Sequence, residues 1–350
     1  MAKPINIAGR IIGPGHSAYI IAEGGVNHNG SLDMAIQLIQ KAKACGADCI
    51  KFQTFKAERV VTPAAPKAAY QLRVTDPLES QLAMLRKLEL SESDHRLLIE
   101  HCRRENLVFL STPYSIEDAE MLHELGVPGF KIASGQLVEL PLLAAIARFN
   151  KPVILSTGMA TLDETSEAVA TLRDNHNNQI VVLQCTTNYP SKLTDTNLRA
   201  MTQIASTTDT IVGYSDHTEG ITACLASIAL GATVIEKHFT LDCTLPGPDH
   251  RCSSEPAEFT ALVRGIREVE AALGDGVKRP TVAELANITG MRRSIVAARV
   301  IEAGTVVTAA DFTFKRPATG LSPKRLGELL GRKAQVRISV DAQVQPGQFV

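Results

Sequence analysis

The chain has 350 residues, 45% of them hydrophobic, and its 36 basic and 37 acidic residues leave a formal net charge of −1. This balance argues against a protein that binds nucleic acid or an anionic membrane through its overall charge, so any anion must be held by a local cluster. Seven scattered cysteines without a CxxC pair, no apolar leader and no apolar run of about 20 residues predict a cytoplasmic protein without disulfides or membrane spans.

Eight short apolar runs alternate with amphipathic segments through the first 275 residues. Such runs, bounded by polar residues, Gly or Pro, are typical of parallel strands whose two faces are both buried. The predicted strands are 18–23, 48–53, 107–112, 129–134, 152–157, 180–186, 210–215 and 233–239. Segments between them, such as 31–46 and 255–273, have helical apolar spacing. The pattern predicts an α/β fold, a (β/α)₈ TIM barrel over residues 1–275. A doubly wound open sheet is the alternative, disfavoured because no GxGxxG turn is present.

Three segments depart from this alternation. Residues 54–90 are an insertion that contains the Pro/Ala-rich stretch VVTPAAPKAAYQ, which has no helical period at first. An insertion after the second strand belongs to the active-site face of a barrel. The loop LDCTLPGPDHRCSSEP after strand eight contains prolines that stiffen it and aim Asp249, although an ordinary polar turn would read similarly. Residues 276–291 are predicted to be a linker. Residues 292–350 form a small β-rich module with two loosely similar halves, predicted to have little core and to need a partner surface.

Polar residues lie where the predicted strands end, and in a barrel these positions face the active-site mouth. Lys51 and Lys131 interrupt otherwise apolar strands, and a buried ammonium group requires a partner or a ligand. Hydroxyl side chains occupy several other strand ends: Thr112, Ser134, Ser156, Thr187 and Ser215. Lysines with hydroxyls indicate a site for a phosphate or carboxylate. Solvated strand ends are the alternative interpretation for each residue taken singly.

His217 and His238 end the seventh and eighth predicted strands. Because these strands are neighbours in a barrel, the two imidazoles can meet at its mouth. With nearby carboxylates from Glu23, Glu236 and Asp216, they predict a divalent-metal site for Mn²⁺ or Mg²⁺ rather than a closed zinc site. Two unrelated structural histidines are the alternative.

Motifs along nearly the whole chain resemble the bacterial nonulosonic acid synthases, the N-acetylneuraminate (sialic acid) synthase family. They are AEGGVNHNG, IKFQTF, APKAAYQ, ESQLAMLRKLEL, FLSTPYS, FKIASG, PVILSTGMA, QCTTNYP, GYSDHTEG, ATVIEKHFTLD, GPDHRCS and KRPATGLSP. The resemblance implies a barrel followed by an antifreeze-like SAF domain of β-clip type. It also implies a domain-swapped homodimer whose tail modules cover the partner's barrel mouth. Two positions depart from the family pattern: Gly24 replaces a larger apolar residue, which would loosen packing, and Thr187 stands where an Asn is common, one position before Asn188.

The resemblance also implies a transferase that joins phosphoenolpyruvate to an open-chain N-acylated hexosamine and water. The sugar would be N-acetylmannosamine or a 2,4-diacetamido-2,4,6-trideoxyhexose, and phosphate would leave by C–O cleavage in a metal-dependent reaction. Glu23, Lys51, His217 and His238 would be catalytic, with both histidines on the metal and Glu23 as general acid or base. Phosphoenolpyruvate would contact Lys51, Thr112, Lys131, Ser134, Ser156, Thr187 and Ser215. The sugar would contact Gln53, Tyr189, Asp249 and Arg316 of the partner subunit.

Two rival functions remain open at this stage. A synthase acting on a phosphorylated aldose would need a second phosphate site, for which Lys56, Arg59 and Lys67 are the available cations. A non-catalytic carbohydrate- or ice-binding protein would use the tail module and leave the barrel inert. The lysines and histidines at the strand ends disfavour this second rival.

Overall fold

The structure is a computed structural model that describes residues 2–68, 71–345 and 347–350. The chain forms two compact units, Met1–Gly274 and Asp275–Val350. The first begins with an antiparallel hairpin of β1 (Ile5–Ile7) and β2 (Arg10–Ile12). Eight parallel strands follow: β3 (Tyr19–Gly25), β4 (Cys49–Thr54), β5 (Val108–Pro113), β6 (Phe130–Ile132), β7 (Val153–Ser156), β8 (Ile180–Cys185), β9 (Ile211–Asp216) and β10 (Val234–His238).

The strand order β5-β4-β3-β10-β9-β8-β7-β6 is chain order around a ring, because β10 returns to pair with β3. Within the described residues no hydrogen-bonded ladder joins β5 to β6, so the ring is nearly closed. Each observed strand overlaps one predicted strand, and the (β/α)₈ barrel is confirmed. A barrel directs the carboxyl ends of all eight strands to one mouth.

The helices that follow the strands bury one apolar face each. They are α1 (Leu32–Ala44), α5 (Glu92–Arg104), α6 (Ile116–Glu124), α7 (Leu140–Ala147), α8 (Leu162–Asp174), α9 (Ala200–Thr208), α10 (Thr222–Ala229) and α11 (Pro256–Leu273). Ser31 caps α1 by accepting a hydrogen bond from the amide of Met34. α11 starts at Pro256, as its missing amide hydrogen favours, and ends before Gly274 at φ +60°.

The barrel strands have two separate cores because their side chains alternate between faces. Ile20 and Ala22 of β3 pack against the surrounding helices. Tyr19 and Ile21 point into the barrel, where they join apolar residues of the other strands and of the β1–β2 hairpin. The barrel interior below the mouth is therefore filled, and only the C-terminal ends of the strands are left to form a site.

The insertion at 54–90 contains short helices before and after its Pro/Ala-rich stretch. They are α2 (Ala57–Val60), α3 (Gln71–Val74) and α4 (Gln81–Arg86). None is long enough for an apolar period to be visible in the sequence. Phe55 and Leu88 from either side of these helices are buried together with Val26, so the insertion packs on the loop after β3.

The second unit begins with a helix inside the predicted linker 276–291. This helix, α12 (Val282–Met291), starts with a capping box formed by Thr281 and Glu284. An antiparallel pair follows, β11 (Ser294–Ala297) and β12 (Phe312–Lys315). Contrary to the expectation from its size, the module has a core of its own, in which Phe312 packs edge-on against Phe349 at 5.9 Å between ring centroids. These two residues close the two similar halves of the sequence.

Two further expectations concern the whole chain. All seven cysteines are free thiols, as their scattered spacing predicted. Among the residues that the structure describes, no helix is both long and apolar enough to cross a bilayer.

Candidate active site

A cavity of about 300 Å³ lies at the C-terminal ends of the barrel strands, and every strand from β3 to β10 contributes to its wall. All the site residues predicted within the barrel line it: Glu23, Lys51, Gln53, Thr112, Lys131, Ser134, Ser156, Thr187, Tyr189, Ser215, His217, His238 and Asp249. Arg316, the remaining predicted residue, is exposed on the second unit, just after β12. The fold thus gathers residues separated by more than half of the chain.

Two buried lysines form the floor of the cavity. Lys51 Nζ lies 2.6 Å from Glu23 Oε2 and 3.1 Å from Thr112 Oγ1. Lys131 Nζ lies 3.3 Å from Glu236 Oε1, and Lys51 Nζ is 3.8 Å from the other oxygen of Glu236. Glu236 therefore bridges the two ammonium groups, and Glu23 pairs with only one of them.

The pKa values of Glu23 and Glu236 are shifted in opposite directions. Burial is the main cause that raises the pKa of Glu23 to about 7, with Glu236 adding to it and Lys51 opposing. Burial would also raise the pKa of Glu236, but Lys131 and Lys51 outweigh it and lower the pKa to about 2. Glu236 is therefore charged and Glu23 can exchange a proton near neutral pH, a division that suits acid–base chemistry. Burial lowers the pKa of Lys131, so an added anion would stabilise its charged form.

Hydroxyl groups converge on Gly158 at the end of β7. The Gly158 amide donates to Ser134 Oγ at 2.8 Å. A Cβ at this position would overlap Thr187 Oγ1 and lie 2.8 Å from Ser134 Oγ. Ser156 Oγ and Thr187 Oγ1 are buried and have no hydrogen-bond partner among the described residues. Because buried hydroxyls are normally hydrogen-bonded, these two indicate a place for the oxygen atoms of a ligand. Glycine is required here to leave that place open.

Gly158→Ala is expected to raise the KM for the anionic substrate by about tenfold or more, because the new methyl group would collide with the hydroxyls of Thr187 and Ser134 and displace them. Gly290→Ala is the control, since Gly290 does not line the cavity and a Cβ there meets nothing within 4 Å, and it should change the same KM by less than about threefold. Steady-state kinetics on both variants would measure the difference. Equal KM values in the two variants would contradict a ligand site at Gly158.

The two predicted metal ligands lie side by side at the mouth. The ring centroids of His217 and His238 are 5.2 Å apart, and the Tyr189 ring packs 4.2 Å from that of His217. His217 Nδ1 donates to the Thr186 carbonyl at 2.8 Å, which leaves Nε2 for a ligand. His238 Nδ1 is buried and unpartnered within the described residues. Burial lowers the pKa of His238 well below its usual value, so the ring is neutral, as metal binding requires.

Asp216, one of the carboxylates expected near the histidines, points away from them. Its Oδ2 lies 2.7 Å from Lys237 Nζ, and its Oδ1 accepts a hydrogen bond from Tyr214 at 3.0 Å. This corrects the expectation for Asp216, because the buried ion pair with Lys237 already uses its charge. Among the described residues, no three His, Cys, Asp or Glu side chains are placed to bind one metal ion. The two histidines would have to share a metal with oxygen atoms of the substrate or water.

A different set of side chains forms the opposite wall. Gln53 Nε2 donates to Glu23 Oε1 at 3.4 Å, and Tyr114 OH donates to Gln53 Oε1 at 3.2 Å. The Tyr114 ring packs edge-on against Phe55 at 5.7 Å. The wall thus changes from polar to apolar within a few residues. Burial raises the pKa of Asp249, which also lines the cavity, to about 6.

Several residues of the cavity were not predicted as substrate contacts. They are Glu236, Cys185 and Tyr114 from the strands and their ends, with Gln71, Gln81, Met84, Leu85 and Leu88 from the insertion. The two-residue period of a strand could have identified Glu236, because it shares a face of β10 with His238. The insertion was expected at the active-site face, but its sequence has no comparable period that would identify which of its side chains line the cavity.

Ser215 lines the cavity as predicted, whereas Gly24 differs from what the sequence indicated. Ser215 Oγ donates to Glu236 Oε1 at 3.0 Å, so its hydroxyl orients that carboxylate. At Gly24 the packing is tight rather than loose: a Cβ there would lie 3.0 Å from Cε1 of Phe52, a fully buried ring. The small residue makes room for this ring.

The fold and the cavity together define a (β/α)₈ barrel with two buried lysines and a histidine pair at its mouth. The chain belongs to the NeuB family, which matches residues 38–278, and residues 292–350 match the SAF domain. The expected family resemblance and the barrel-plus-SAF architecture are therefore confirmed.

The chain is similar to two curated synthases over nearly its whole length. It is 47% identical to N,N'-diacetyllegionaminic acid synthase of Campylobacter jejuni, over 93% of this chain and 98% of the relative. It is 41% identical to the synthase of the same name from Legionella pneumophila, over 93% of each chain. Among solved structures, N-acetylneuraminic acid (sialic acid) synthetase from Leptospira borgpetersenii is 33% identical with a TM-score of 0.73, covering 82% of this chain and 96% of that chain.

Proposed function

We propose that this protein condenses phosphoenolpyruvate with an open-chain N-acylated hexosamine and water to give a nonulosonic acid and phosphate. The observation that carries the proposal is the pair of buried lysines bridged by one charged carboxylate, beside hydroxyls that have no partner among the described residues. Phosphoenolpyruvate has a carboxylate and a phosphate, which such groups bind well. Membership of the NeuB family supports the same reaction class.

The residues can be assigned to steps of this reaction. C3 of phosphoenolpyruvate bonds to the aldehyde carbon of the sugar, water adds to C2, and the bond from C2 to the phosphate oxygen breaks. Lys51 and Lys131 hold the anion and neutralise the leaving phosphate. Glu23, with a pKa near 7, accepts a proton from the attacking water as general base. Its contacts with Lys51 and Gln53 hold it at the border between the anion floor and the opposite wall.

We further propose that His217 and His238 hold Mn²⁺ or Mg²⁺. The free Nε2 of His217 and the buried, unpartnered Nδ1 of His238 support this assignment. When bound, such an ion would polarise the aldehyde oxygen as a Lewis acid. Two protein ligands leave positions for substrate and water, as in other catalytic metal sites.

The insertion supports a choice of sugar. Next to Gln71 and Gln81, its side chains give the outer wall of the cavity an apolar patch. Met84, Leu85 and Leu88 lie there with Phe55 and Val26. A 2,4-diacetamido-2,4,6-trideoxyhexose has a methyl group at C6 and two acetamido methyl groups, which such a wall favours. N-acetylmannosamine would place a hydroxymethyl group there and is the second candidate, and one methyl-sized difference is worth about 10- to 200-fold. Similarity to two N,N'-diacetyllegionaminic acid synthases supports the first sugar.

A phosphorylated sugar is disfavoured because the cations available for a second phosphate site are already paired. Each lies within an ion-pair distance of a carboxylate: Lys56 with Glu89 at 2.8 Å, Arg59 with Asp118 at 2.6 Å and Lys67 with Glu79 at 3.5 Å. Opening the pair of Lys56 or of Arg59 for a phosphate would take a counter-charge from a largely buried carboxylate, at a cost in free energy.

The test is phosphate release over a panel of sugars. Release should require phosphoenolpyruvate, Mn²⁺ and an N-acylated hexosamine together, and each omission serves as a control. The diacetamido trideoxy sugar should have a kcat/KM at least about tenfold above that of N-acetylmannosamine. No release with any sugar would contradict the reaction. A preference for N-acetylmannosamine would contradict only the choice of sugar.

We also propose that the active form is a domain-swapped homodimer in which Arg316 contacts the sugar in the partner's barrel. Arg316→Ala should raise the sugar KM by about 10- to 100-fold, the usual value of a hydrogen bond from a charged group, with little change in the KM for phosphoenolpyruvate. Arg337→Ala is the control, because Arg337 is also exposed but pairs with Glu302 within its own module. Equal effects on both KM values would contradict the assignment.

Mixed dimers would test the swap itself. Co-expression of Arg316→Ala with the Lys131→Met variant combines an intact barrel on one subunit with an intact Arg316 on the other. A swapped dimer restores one complete site and hence activity above that of either variant alone. A dimer whose subunits use their own tails restores none.

A further inference from the structure

The side chain of Asn27 attaches the loop that carries Asp249 to the loop after β3. Asn27 is almost completely buried and does not line the cavity. Its Nδ2 donates to the Phe239 carbonyl at 2.9 Å and to Ser253 Oγ at 2.8 Å. Its Oδ1 has no hydrogen-bond partner among the described residues, so its amino group alone orients the amide. One side chain therefore holds both ends of the segment between 239 and 253.

The connection continues from Ser253 to Asp249. Ser253 Oγ accepts the hydrogen bond from Asn27 and donates its own proton to the Asp249 carbonyl at 2.6 Å. Asn27 Nδ2 uses one of its two hydrogens for Ser253, and Ser253 Oγ uses its single hydrogen for Asp249, so the two bonds form a chain from Asn27 to the backbone of Asp249. Asn29 adds a second link, because its Nδ2 donates to the Pro246 carbonyl at 2.8 Å.

Asp249, which these hydrogen bonds hold, lies close to Glu23. A Cβ on Gly25 would lie 3.3 Å from Glu23 Oε1 and 3.7 Å from Asp249 Oδ2. Both carboxylates thus lie against the same glycine, at the end of β3. The separation between them depends on the loop that carries Asp249, because Glu23 is fixed by the barrel strand.

Backbone contacts at the base of the loop do not need Asn27. The Ser254 amide donates to the His238 carbonyl at 2.8 Å, and the Phe239 amide donates to the Glu23 carbonyl at 2.7 Å. Loss of the Asn27 side chain should therefore leave the ends of the loop in place. What it releases is the link through Ser253 to the Asp249 carbonyl. The hydrogen bonds from Asn29 to the Pro246 carbonyl at 2.8 Å and between Thr240 and His250 at 2.7 Å remain on either side of Asp249.

From these contacts we infer that Asn27 is a positioning residue that acts through Ser253 to set the place of Asp249 relative to Glu23. The kinetic consequence rests on the proposed function, in which Asp249 contacts the sugar and Lys51 and Lys131 bind phosphoenolpyruvate. Displacement of Asp249 should weaken sugar binding and leave the phosphoenolpyruvate site intact. A purely structural role would affect both substrates equally.

Adjacent serines provide the matched pair for the test. Ser253→Ala removes the hydroxyl that links Asn27 to Asp249. Ser254→Ala removes a buried hydroxyl with no hydrogen-bond partner among the described residues. Asn27→Ala and Ser253→Ala should each raise the sugar KM by about tenfold or more, with the phosphoenolpyruvate KM within about twofold of the parent. Ser254→Ala should behave as the parent. Equal changes in both KM values, or the same change in Ser254→Ala, would overturn the inference.

Hydrogen–deuterium exchange of the segment 243–253 gives a second readout that needs no activity. Faster exchange in Asn27→Ala and Ser253→Ala, but not in Ser254→Ala, is the expected result. If the parent protein releases no phosphate with any sugar, the proposed function is contradicted. The exchange result still tests whether Asn27 holds the loop of Asp249 through Ser253. Unchanged exchange in Ser253→Ala would overturn the inference even if the synthase reaction is demonstrated.

Discussion

Replacing Lys131 by Met is expected to lower kcat/KM for phosphoenolpyruvate by about 100- to 1000-fold. The reason is that Lys131 faces the cavity and that, among the described residues, Glu236 is the one carboxylate within ion-pair distance of it and is shared with Lys51. The folded state should lose little, because Glu236 keeps Lys51 and the hydrogen bond from Ser215. Phosphate-release kinetics and urea unfolding of the same preparation would measure both quantities.

Lys237→Met is the matched control on a buried lysine outside the cavity. Lys237 Nζ lies 2.7 Å from Asp216 Oδ2 and 2.8 Å from the Thr218 carbonyl. Its loss leaves Asp216 buried without its counter-charge, which should cost about 3–5 kcal/mol of unfolding free energy. If Lys131→Met instead loses this much stability and keeps its kcat/KM, the lysine is structural and the anion site is wrongly assigned.

The second large effect is expected at the histidine pair. His217→Ala and His238→Ala should each reduce turnover by about 100-fold or more, since each removes one of the two proposed ligands of the Lewis acid. Both variants should also bind Mn²⁺ more weakly, which calorimetric titration would measure directly. Near-normal turnover in either variant would refute the metal assignment.

His95→Ala is the control for the loss of a buried histidine that is not a proposed metal ligand. His95 is fully buried, and its two ring nitrogens are hydrogen-bonded to Thr54 and to the Ser91 carbonyl. Its loss should destabilise the fold by about 1–3 kcal/mol, because both partners lose a hydrogen bond, and leave Mn²⁺ affinity unchanged. His238→Ala should show the reverse, because His238 Nδ1 has no partner to lose within the described residues.

The barrel could be predicted because its strands are buried on both faces. This burial forces a continuous apolar run in each strand, and the eight runs are visible in the sequence without any knowledge of their contacts. The same rule located the site, because a lysine such as Lys51 inside an apolar strand needs a partner. Since parallel strands in a barrel end at one mouth, residues from 23 to 249 could be assigned to a single cavity.

The partners within that cavity depended on strand register, which the sequence does not contain. Asp216 directly precedes His217 and Glu236 lies two residues before His238, and both carboxylates were expected near the histidines. In the structure Ser215 lies opposite Glu236 and Asp216 lies opposite Lys237, so the first pair faces the cavity and the second faces the helices. A shift of one residue would have exchanged them.

The amino-acid sequence by itself determined the barrel, the polar groups at its mouth and the presence of a second module. Each of these is visible in the spacing or the type of neighbouring residues, because burial constrains residue type along a strand. Only the tertiary structure decided that Glu236 bridges Lys51 and Lys131 and that Asn27 holds the loop of Asp249. It also decided the apolar wall of the insertion and the core of the small module. These depend on contacts between distant segments, and neither spacing nor composition encodes such contacts.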